Sequence, residues 1–477
     1  MKKVNFLILL FSISFILIAQ EDSFFFEDDF NMDEEETSLI MVNSGGLAGF
    51  NTQYIDGEWR GAAYLDIDIT GESSSFDIIG NFDVKLENFN DFCDFPLQNS
   101  PYRAFTFIDT LYIRYYNSMF DLEVGLLKPI WGNADGIHAV DLLNPLDYSD
   151  PFGTSYLDSK ISQQMVKVNV PIGVNSLLEV SYLPSFQGDN IPLSGTWTPA
   201  YIKNMEETIY LMAYPSILEQ VTASLPNNTP QSIIESSADQ QSKNAASTIV
   251  STINFDEAEY FIDSQVAARF TTSLNYMDLG FTYYYGFLKQ PTLDPADVLE
   301  NLRLNLIYNR VQTIGFDIAA QIGSFNTKGE LAYNLTNDLD GSDPAVNNNS
   351  VKYILGFDIN LPINNMNILL QGVGDVILSS SNIGVLDPQY STSDEYWTLS
   401  IMGRVSDSYL NEKLSLEITG SYSIVDRDFM AKPKATYSIN DNSKIYAQYL
   451  LLEGGATTTF GQYDNNDTLT IGLDFIF

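Results

Sequence analysis

The chain has 477 residues, with 62 acidic and 23 basic side chains and a formal net charge of −39. This balance excludes nucleic acid as a partner, because phosphate binding needs clustered Lys and Arg. One Cys and one His argue against a disulfide framework, a transition-metal site or a metal cofactor, and no cofactor is expected.

The N-terminal segment has the order typical of a secretory signal peptide. A basic start at Lys2 and Lys3 precedes an apolar run over residues 6–18, and an acidic stretch follows. The run is shorter than the ~20 residues that a spanning helix needs. We therefore expect a cleaved signal over residues 1–20 and an acidic periplasmic leader over residues 21–44.

The rest of the chain alternates apolar and polar residues in short segments bounded by turn formers. After the signal no stretch approaches 18 consecutive apolar residues, which excludes spanning helices, yet 45% of residues are hydrophobic. One apolar residue in two is typical of strands with a lipid face and a lumen face. The predicted strands cover residues 46–55, 59–70, 76–88, 105–116, 119–128, 163–171, 176–185, 264–276, 277–287, 301–323, 325–336, 351–361, 366–378, 396–406, 414–424, 429–439, 444–453 and 467–477.

Connection lengths decide the number of strands. In such barrels both termini lie in the periplasm, turns on that side are short, and outer loops are long. Residues 301–323 could form one long strand or two strands broken near Asn309 and Arg310. Counts from either end place the long connections on one side only if these residues form one strand. The fold class is therefore all-β: a transmembrane antiparallel up-and-down β-barrel over residues 45–477 with about 18 strands, 16 being the nearest alternative.

The connection over residues 186–263 departs from the strand pattern. Ile202, Met205, Ile209 and Met212 have helical spacing, and residues 231–252 are rich in Ala, Ser and Gln. A connection of this length inside a compact fold is often functional. It is interpreted as a long helical insertion over the pore mouth or into the lumen, with a partly disordered surface loop as the alternative.

A turn-rich segment follows the fifth predicted strand. It contains Trp131-Gly132, Asp135-Gly136, Asp141 and Asn144-Pro145-x-Asp147-Tyr148. This pattern resembles a largely uncharacterised group of bacterial outer-membrane proteins that are related in style to porins. The hypothesis is that the segment folds inward as a constriction lined by Trp131, Asp135, Asp141 and Asp147; the alternative is that it seals the rim and fixes the strand register.

The last segment predicts which faces of the strands meet lipid. Leu469, Ile471, Leu473 and Phe475 fall on one face, opposite Thr468, Thr470, Gly472 and Asp474. The ending at Phe477 resembles the C-terminal signal by which bacterial outer-membrane barrels are recognised, which implies the barrel-assembly machinery as a partner. The same alternation predicts five lumen-facing charged residues: Asp358, Asp375, Arg404, Glu417 and Asp474.

Together these patterns favour a non-enzymatic channel of the cell outer membrane, in contact with its lipid, for passive or substrate-selective uptake of small solutes. A structural or adhesive surface barrel with a closed lumen is the alternative, and a barrel hydrolase that uses His138 is a third reading. Residues 338–343 resemble part of a calcium loop, but the twelfth position is Asn349 where such a loop needs Glu, which favours a plain acidic loop.

Overall fold

The computed structural model describes residues 41–55, 57–87, 107–153, 155–226, 228–251, 253–255, 258–295, 298, 303–384, 387, 389–391 and 395–477. The predicted signal peptide lies outside these residues, as does the predicted leader up to residue 40. The described chain opens directly in a strand at Met41, four residues before the predicted start of the barrel.

The described residues form one closed antiparallel sheet of 18 strands. The predicted fold class and the number of strands are confirmed. In chain order the strands are β1 Met41–Ile55, β2 Glu58–Glu72, β3 Phe76–Glu87, β4 Ile108–Tyr116, β5 Asp121–Leu127, β6 Gln163–Ile172, β7 Ser176–Leu183, β8 Gln265–Leu274, β9 Met277–Phe287, β10 Arg310–Ile322, β11 Phe325–Thr336, β12 Ser350–Asn360, β13 Asn367–Ile377, β14 Trp397–Tyr409, β15 Leu414–Ser423, β16 Phe429–Ser438, β17 Ser443–Glu453 and β18 Thr468–Ile476.

Each strand pairs with its neighbours in sequence, and the first strand closes the barrel against the last. In β1, residues 47–54 pair with residues 469–476 of β18. Closure removes the unpaired edges that an open sheet would expose, which a lipid environment does not tolerate.

The outer surface of the barrel has an apolar middle and aromatic residues near both ends. Exposed aliphatic side chains such as Ile113, Leu355 and Ile471 occupy the middle of the strands. Exposed aromatic residues lie near both strand ends: Tyr54, Trp59, Tyr285, Tyr333, Trp397, Tyr422 and Tyr449 at one end, and Tyr115, Tyr276, Phe325, Phe357, Tyr409 and Tyr437 at the other. An apolar band between two aromatic girdles is the outer surface of a membrane-spanning barrel.

The two ends of the barrel differ in their connections. Short turns join strands at the end where β1 starts and β18 finishes, such as residues 73–75, 275–276 and 323–324. The long connections, including residues 128–162 and 184–264, share the opposite end. This is the predicted arrangement of termini and loops.

The segment over residues 301–323 is only partly a barrel strand. Asn305–Ile307 pairs instead with Thr292–Leu293 and Asn254–Phe255 in a small separate sheet, and β10 begins at Arg310. Asn309 lies at the break, where its side chain donates to the Ala345 carbonyl at 3.1 Å and accepts from the Asn347 amide at 2.9 Å. These bonds hold the chain beside residues 345–347 at the point where the barrel strand begins.

The long connection between β7 and β8 contains the predicted helices. They are Ala200–Lys203, α1 Met205–Ser224 and α2 Gln231–Val250. The two long helices pack through Ile209, Ala246 and Ile249, with Val298 and Leu304 beside them. In the part of the chain that the structure describes, no helix combines the length and the apolar character needed to cross a membrane.

Candidate functional site: a loop that crosses the barrel lumen

Residues 128–162, called the lumen loop below, leave the wall after β5 and return to it at β6. One carboxylate of β11 holds the loop's middle. The side chain of Glu330 has 0% exposure. Its Oε1 accepts hydrogen bonds from the Asn133 and Ala134 amides at 2.8 Å and lies 3.0 Å from His138 Nδ1, while Oε2 accepts from the Ala139 amide at 2.6 Å.

Neighbouring strands add further anchors on the same side. Asp135 forms a 2.6 Å ion pair with Lys328 of β11. The backbone carbonyl of Asp135 accepts from Gln371 Nε2 of β13 at 2.8 Å. Asn133 donates to Asp317 of β10. The middle of the loop is therefore fixed to the inner faces of β10, β11 and β13.

The end of the loop meets a different part of the wall. The Phe152 carbonyl accepts from Lys432 Nζ of β16 at 3.0 Å. The Phe152 ring packs against Trp197 and Tyr463, with centroid distances of 5.4 and 5.8 Å. Because the loop leaves the wall at β5 and returns at β6, whereas its contacts lie on β10, β11, β13 and β16 across the barrel, the lumen loop spans the interior.

Within the lumen, the described residues line two cavities that lie on different sides of the loop. The first cavity, of about 920 Å³, is lined by β1–β3 and β16–β18 together with Asp150, Asp158 and residues 190–197. The second cavity, of about 510 Å³, is lined by the other side of the loop and by residues of β9–β14.

The first cavity has a row of polar side chains along its wall. Strand pairing puts Lys434, Gln448, Thr470, Gln53 and Arg60 side by side on β16, β17, β18, β1 and β2. All five line the cavity. Arg60 donates to Thr196 at 2.7 Å and so ties the segment over residues 190–197 to the wall.

The base of the loop combines a packed core with a buried ion pair at the edge of the second cavity. Trp131 is 1% exposed and packs with Leu127, Leu143 and Met165. Asp141 forms a buried 2.5 Å ion pair with Lys160 and accepts from Tyr156 at 2.9 Å. Burial lowers the pKa of Lys160 and, with the neighbouring Asp141 carboxylate, raises that of Tyr156.

The four loop residues singled out in the sequence therefore have different surroundings. Trp131 is buried at the loop base instead of forming the predicted lining, because hydrophobic neighbours cover the indole. Asp141 lines the second cavity, where its carboxylate is paired with Lys160. Asp135 is partly exposed beside Lys328. Asp147 accepts from the Ser149 amide and from Asn190 Nδ2, both at 2.9 Å, and so shapes a turn.

The five charged strand residues from the sequence lie on the wall as follows. Asp474 accepts from Tyr64, and Asp358 accepts from Asn326 at 2.9 Å. Glu417 stands opposite Lys434, and Arg404 opposite Thr419. Asp375 lines the second cavity and stands opposite Lys352.

Glu330, Lys160 and Gln371 were missed in the sequence. The alternation of inward and outward side chains along β11 predicts that Glu330 faces the lumen, as Lys328 and Ala332 do. The same pattern occurs at residues that make no contact with the lumen loop. Contacts such as Glu330 with His138 join residues 192 positions apart, and no local pattern reports them.

His138 is the residue on which a hydrolase would depend. Besides the Glu330 contact, its ring packs on Tyr156 at 4.9 Å. Among the described residues no Ser, Thr or Cys side chain forms a hydrogen bond with it.

The possible calcium loop contains Asp338, whose carboxylate accepts from the Gly341 and Asp343 amides at 3.0 Å. Within the described ranges no group of three or more acidic, His or Cys residues has the geometry to hold a metal ion.

No protein-family model and no curated protein matches the chain. Among solved structures, it is similar to Pseudomonas aeruginosa OccK2 (OpdF), with a TM-score of 0.46 and 10% identity over 91% of this chain and 97% of the other. It is also similar to Acinetobacter baumannii OccAB3, with a TM-score of 0.44 and 11% identity over 91% of this chain and 99% of the other. For Salmonella typhi OmpF, in a complex with daunomycin, the TM-score is 0.40 and the identity 10%, over 92% of this chain and 98% of the other. At these values the likenesses assign neither a family nor a solute.

Proposed function

We propose that this protein is an outer-membrane channel for the passive diffusion of small polar solutes. The observation that carries the proposal is the lumen loop, which crosses a closed barrel and leaves a cavity on each side, the first of them with a mainly polar lining. The apolar band between two aromatic girdles supports a membrane location for the wall. The solute class follows from the lining of the first cavity, because polar walls replace the hydration of a polar solute.

The first cavity supports diffusion of hydrated solutes. Its wall carries Arg60 and Lys434, and the lumen loop opposite them carries Asp150 and Asp158. Low-dielectric walls concentrate the field of such charges in the passage. Since the chain as a whole carries a net charge of −39, we propose a modest preference for cations.

A structural or adhesive barrel with a closed lumen is the competing proposal. The same crossing loop favours a closed lumen, since its hydrogen bonds to β13 and β16 hold it inside the barrel, where it narrows the passage. The two proposals differ in whether ions pass.

Planar-bilayer recording of the purified protein separates them. Stepwise conductance supports the channel, and persistent silence at several protein concentrations supports the closed barrel. The reversal potential under a salt gradient then reports selectivity. We expect Asp158→Asn to weaken the cation preference, and the matched change Asp239→Asn, on an exposed face of α2, to leave it unchanged.

Ionic strength provides an internal check on the electrostatic argument. The Debye length grows from ~10 Å at 0.1 M salt to ~30 Å at 0.01 M. The cation preference should therefore increase at low salt. An anion preference in the wild type would overturn the electrostatic part of the proposal while leaving conduction intact.

A further inference from the structure

The second cavity holds a cation and an anion that face each other without bonding. Lys352 of β12 and Asp375 of β13 are direct cross-strand partners. Both line the cavity of about 510 Å³. Directly opposed residues start with Cβ atoms about 5 Å apart, close enough for an ion pair.

Neither charge forms an ion pair within the protein, although the Asp375 carboxylate accepts a backbone hydrogen bond from Val376. Across the described residues, the exposed Lys352 side chain has no hydrogen bond and no ion pair within 4.0 Å. The Oδ1 atom of Asp375 is buried and has no donor among the same residues. An unsatisfied buried carboxylate oxygen carries a desolvation penalty that a bound donor would remove.

A third group at the same cavity is also unpartnered. Asn348 is 2% exposed, and within the described chain neither its Nδ2 nor its Oδ1 has a hydrogen-bond partner. An amide supplies both donors and an acceptor. The cavity therefore offers a cation, an anion and a neutral amide at once.

The other charged groups of the cavity are already engaged. Asp141 pairs with Lys160 at 2.5 Å. Asp189 accepts from the Leu146 amide at 2.8 Å, and Lys289 donates to Gln265 at 3.0 Å. This leaves Lys352 and Asp375 as the pair available to a solute.

We propose that the second cavity binds a small zwitterion of the α-amino acid type, with its carboxylate at Lys352 and its ammonium at Asp375. An α-amino acid carries its carboxylate and its ammonium group on the same carbon. Both groups can therefore reach two side chains whose Cβ atoms lie about 5 Å apart. A simple anion would leave Asp375 unpaired, and a simple cation would leave Lys352 unpaired. This inference rests on the proposed channel, because it names a solute class for the same lumen.

Binding to the detergent-solubilised protein tests the site without transport. Isothermal titration with L-alanine should give saturable binding that acetate and methylamine do not reproduce. Asp375→Asn and Lys352→Gln should each weaken alanine binding about tenfold, the factor that corresponds to 1.4 kcal/mol. The exchanged pair, Lys352→Asp with Asp375→Lys, should recover most of the affinity, since a zwitterion can bind in the reverse orientation.

Two controls make the result decisive. Asp358→Asn, on the wall outside this cavity, should leave alanine binding unchanged. If neither single variant changes alanine binding, or if alanine does not bind the wild type, the pair holds only water and the inference is wrong. Glycerol uptake by proteoliposomes tests the channel separately: its absence would refute the proposed function whatever the titration shows.

Discussion

Tyr64 and Asp474 are joined by a hydrogen bond across the seam where the barrel closes. Tyr64 lies on β2 and Asp474 on β18, and β1 runs between them. The intervening residue on β1 is Gly49, which pairs with both. A Cβ at Gly49 would stand 2.3 Å from the Tyr64 ring, so the phenol reaches the last strand only because Gly49 has no side chain.

This geometry predicts the effect of filling the glycine. Gly49→Val should force the Tyr64 ring away and break its bond to Asp474, with a loss of about 1–3 kcal/mol in the free energy of unfolding. Urea unfolding in detergent micelles measures the loss. Gly403→Val on β14, where the nearest neighbour of a Cβ is 3.6 Å away, is the matched control and should be milder.

The anchoring of the lumen loop predicts an electrical effect. Glu330→Gln removes the charge that accepts from the loop amides, and each hydrogen bond to a charged group contributes about 1.5–3 kcal/mol. The mean conductance and its fluctuations should both increase in single-channel records as the loop loosens. Glu417→Gln also removes a carboxylate on the barrel wall, and it should not loosen the loop; equal effects from the two variants would point to lumen charge instead of anchoring.

The buried pair at the loop base predicts non-additive stability changes. Asp141→Leu or Lys160→Met alone should cost about 3–5 kcal/mol, because each leaves a buried group without its partner. The double variant Asp141→Leu with Lys160→Met should cost much less than the sum. A double-mutant cycle by urea unfolding measures the coupling, and additive losses would contradict it.

The alternation of β18 predicts that substitutions on its two opposite faces differ in their cost to stability. Leu473 is exposed on the apolar band, whereas Thr470 lines the first cavity. Leu473→Arg should cost about 2–4 kcal/mol if it lies near the midplane of the bilayer, and Thr470→Arg should cost less. Refolding yield into lipid vesicles compares the two, and equal damage would contradict the facing of the strand.

Lys289 predicts a pH dependence of stability. Burial lowers its pKa to about 7, whereas a lysine in an unfolded chain titrates near 10.4. Between these values the unfolded chain holds a proton that the folded chain has released, so stability should rise as the pH increases from about 7 to about 10. The Tm of the wild type should therefore rise relative to that of Lys289→Met over this range.

Two comparisons complete that test. Lys413→Met, in an exposed turn, should leave the slope unchanged. Burial raises the pKa of Asp189 to about 6, which gives a pH dependence of the opposite sign. The folded chain keeps a proton that the unfolded chain loses, so stability should fall as the pH rises from about 4 to about 6. A flat difference between wild type and Lys289→Met from pH 7 to 10 would rule out the buried amine as the cause.

The wall was predictable from the sequence, and the interior was only partly so. Alternation in segments such as residues 414–424 reports a strand directly, and the side on which long connections fall sets the strand count. A break near Asn309 was one of two readings of residues 301–323, and connection lengths favoured one continuous strand, because the bonds of Asn309 to residues 345 and 347 leave no local pattern. Glu330 and Glu417 have the same local pattern, and only the folded loop distinguishes the anchor from the wall charge.

The position of Glu330 also bears on how the protein is assembled. The loop is made from residues 128–162, but its anchor belongs to β11 and stands 192 positions beyond His138. Until β11 is in place, the amides of residues 133, 134, 139 and 140 lack their acceptor. The lumen loop therefore gains this anchor only when β11 has joined the sheet, so that the inner loop and the wall are completed together.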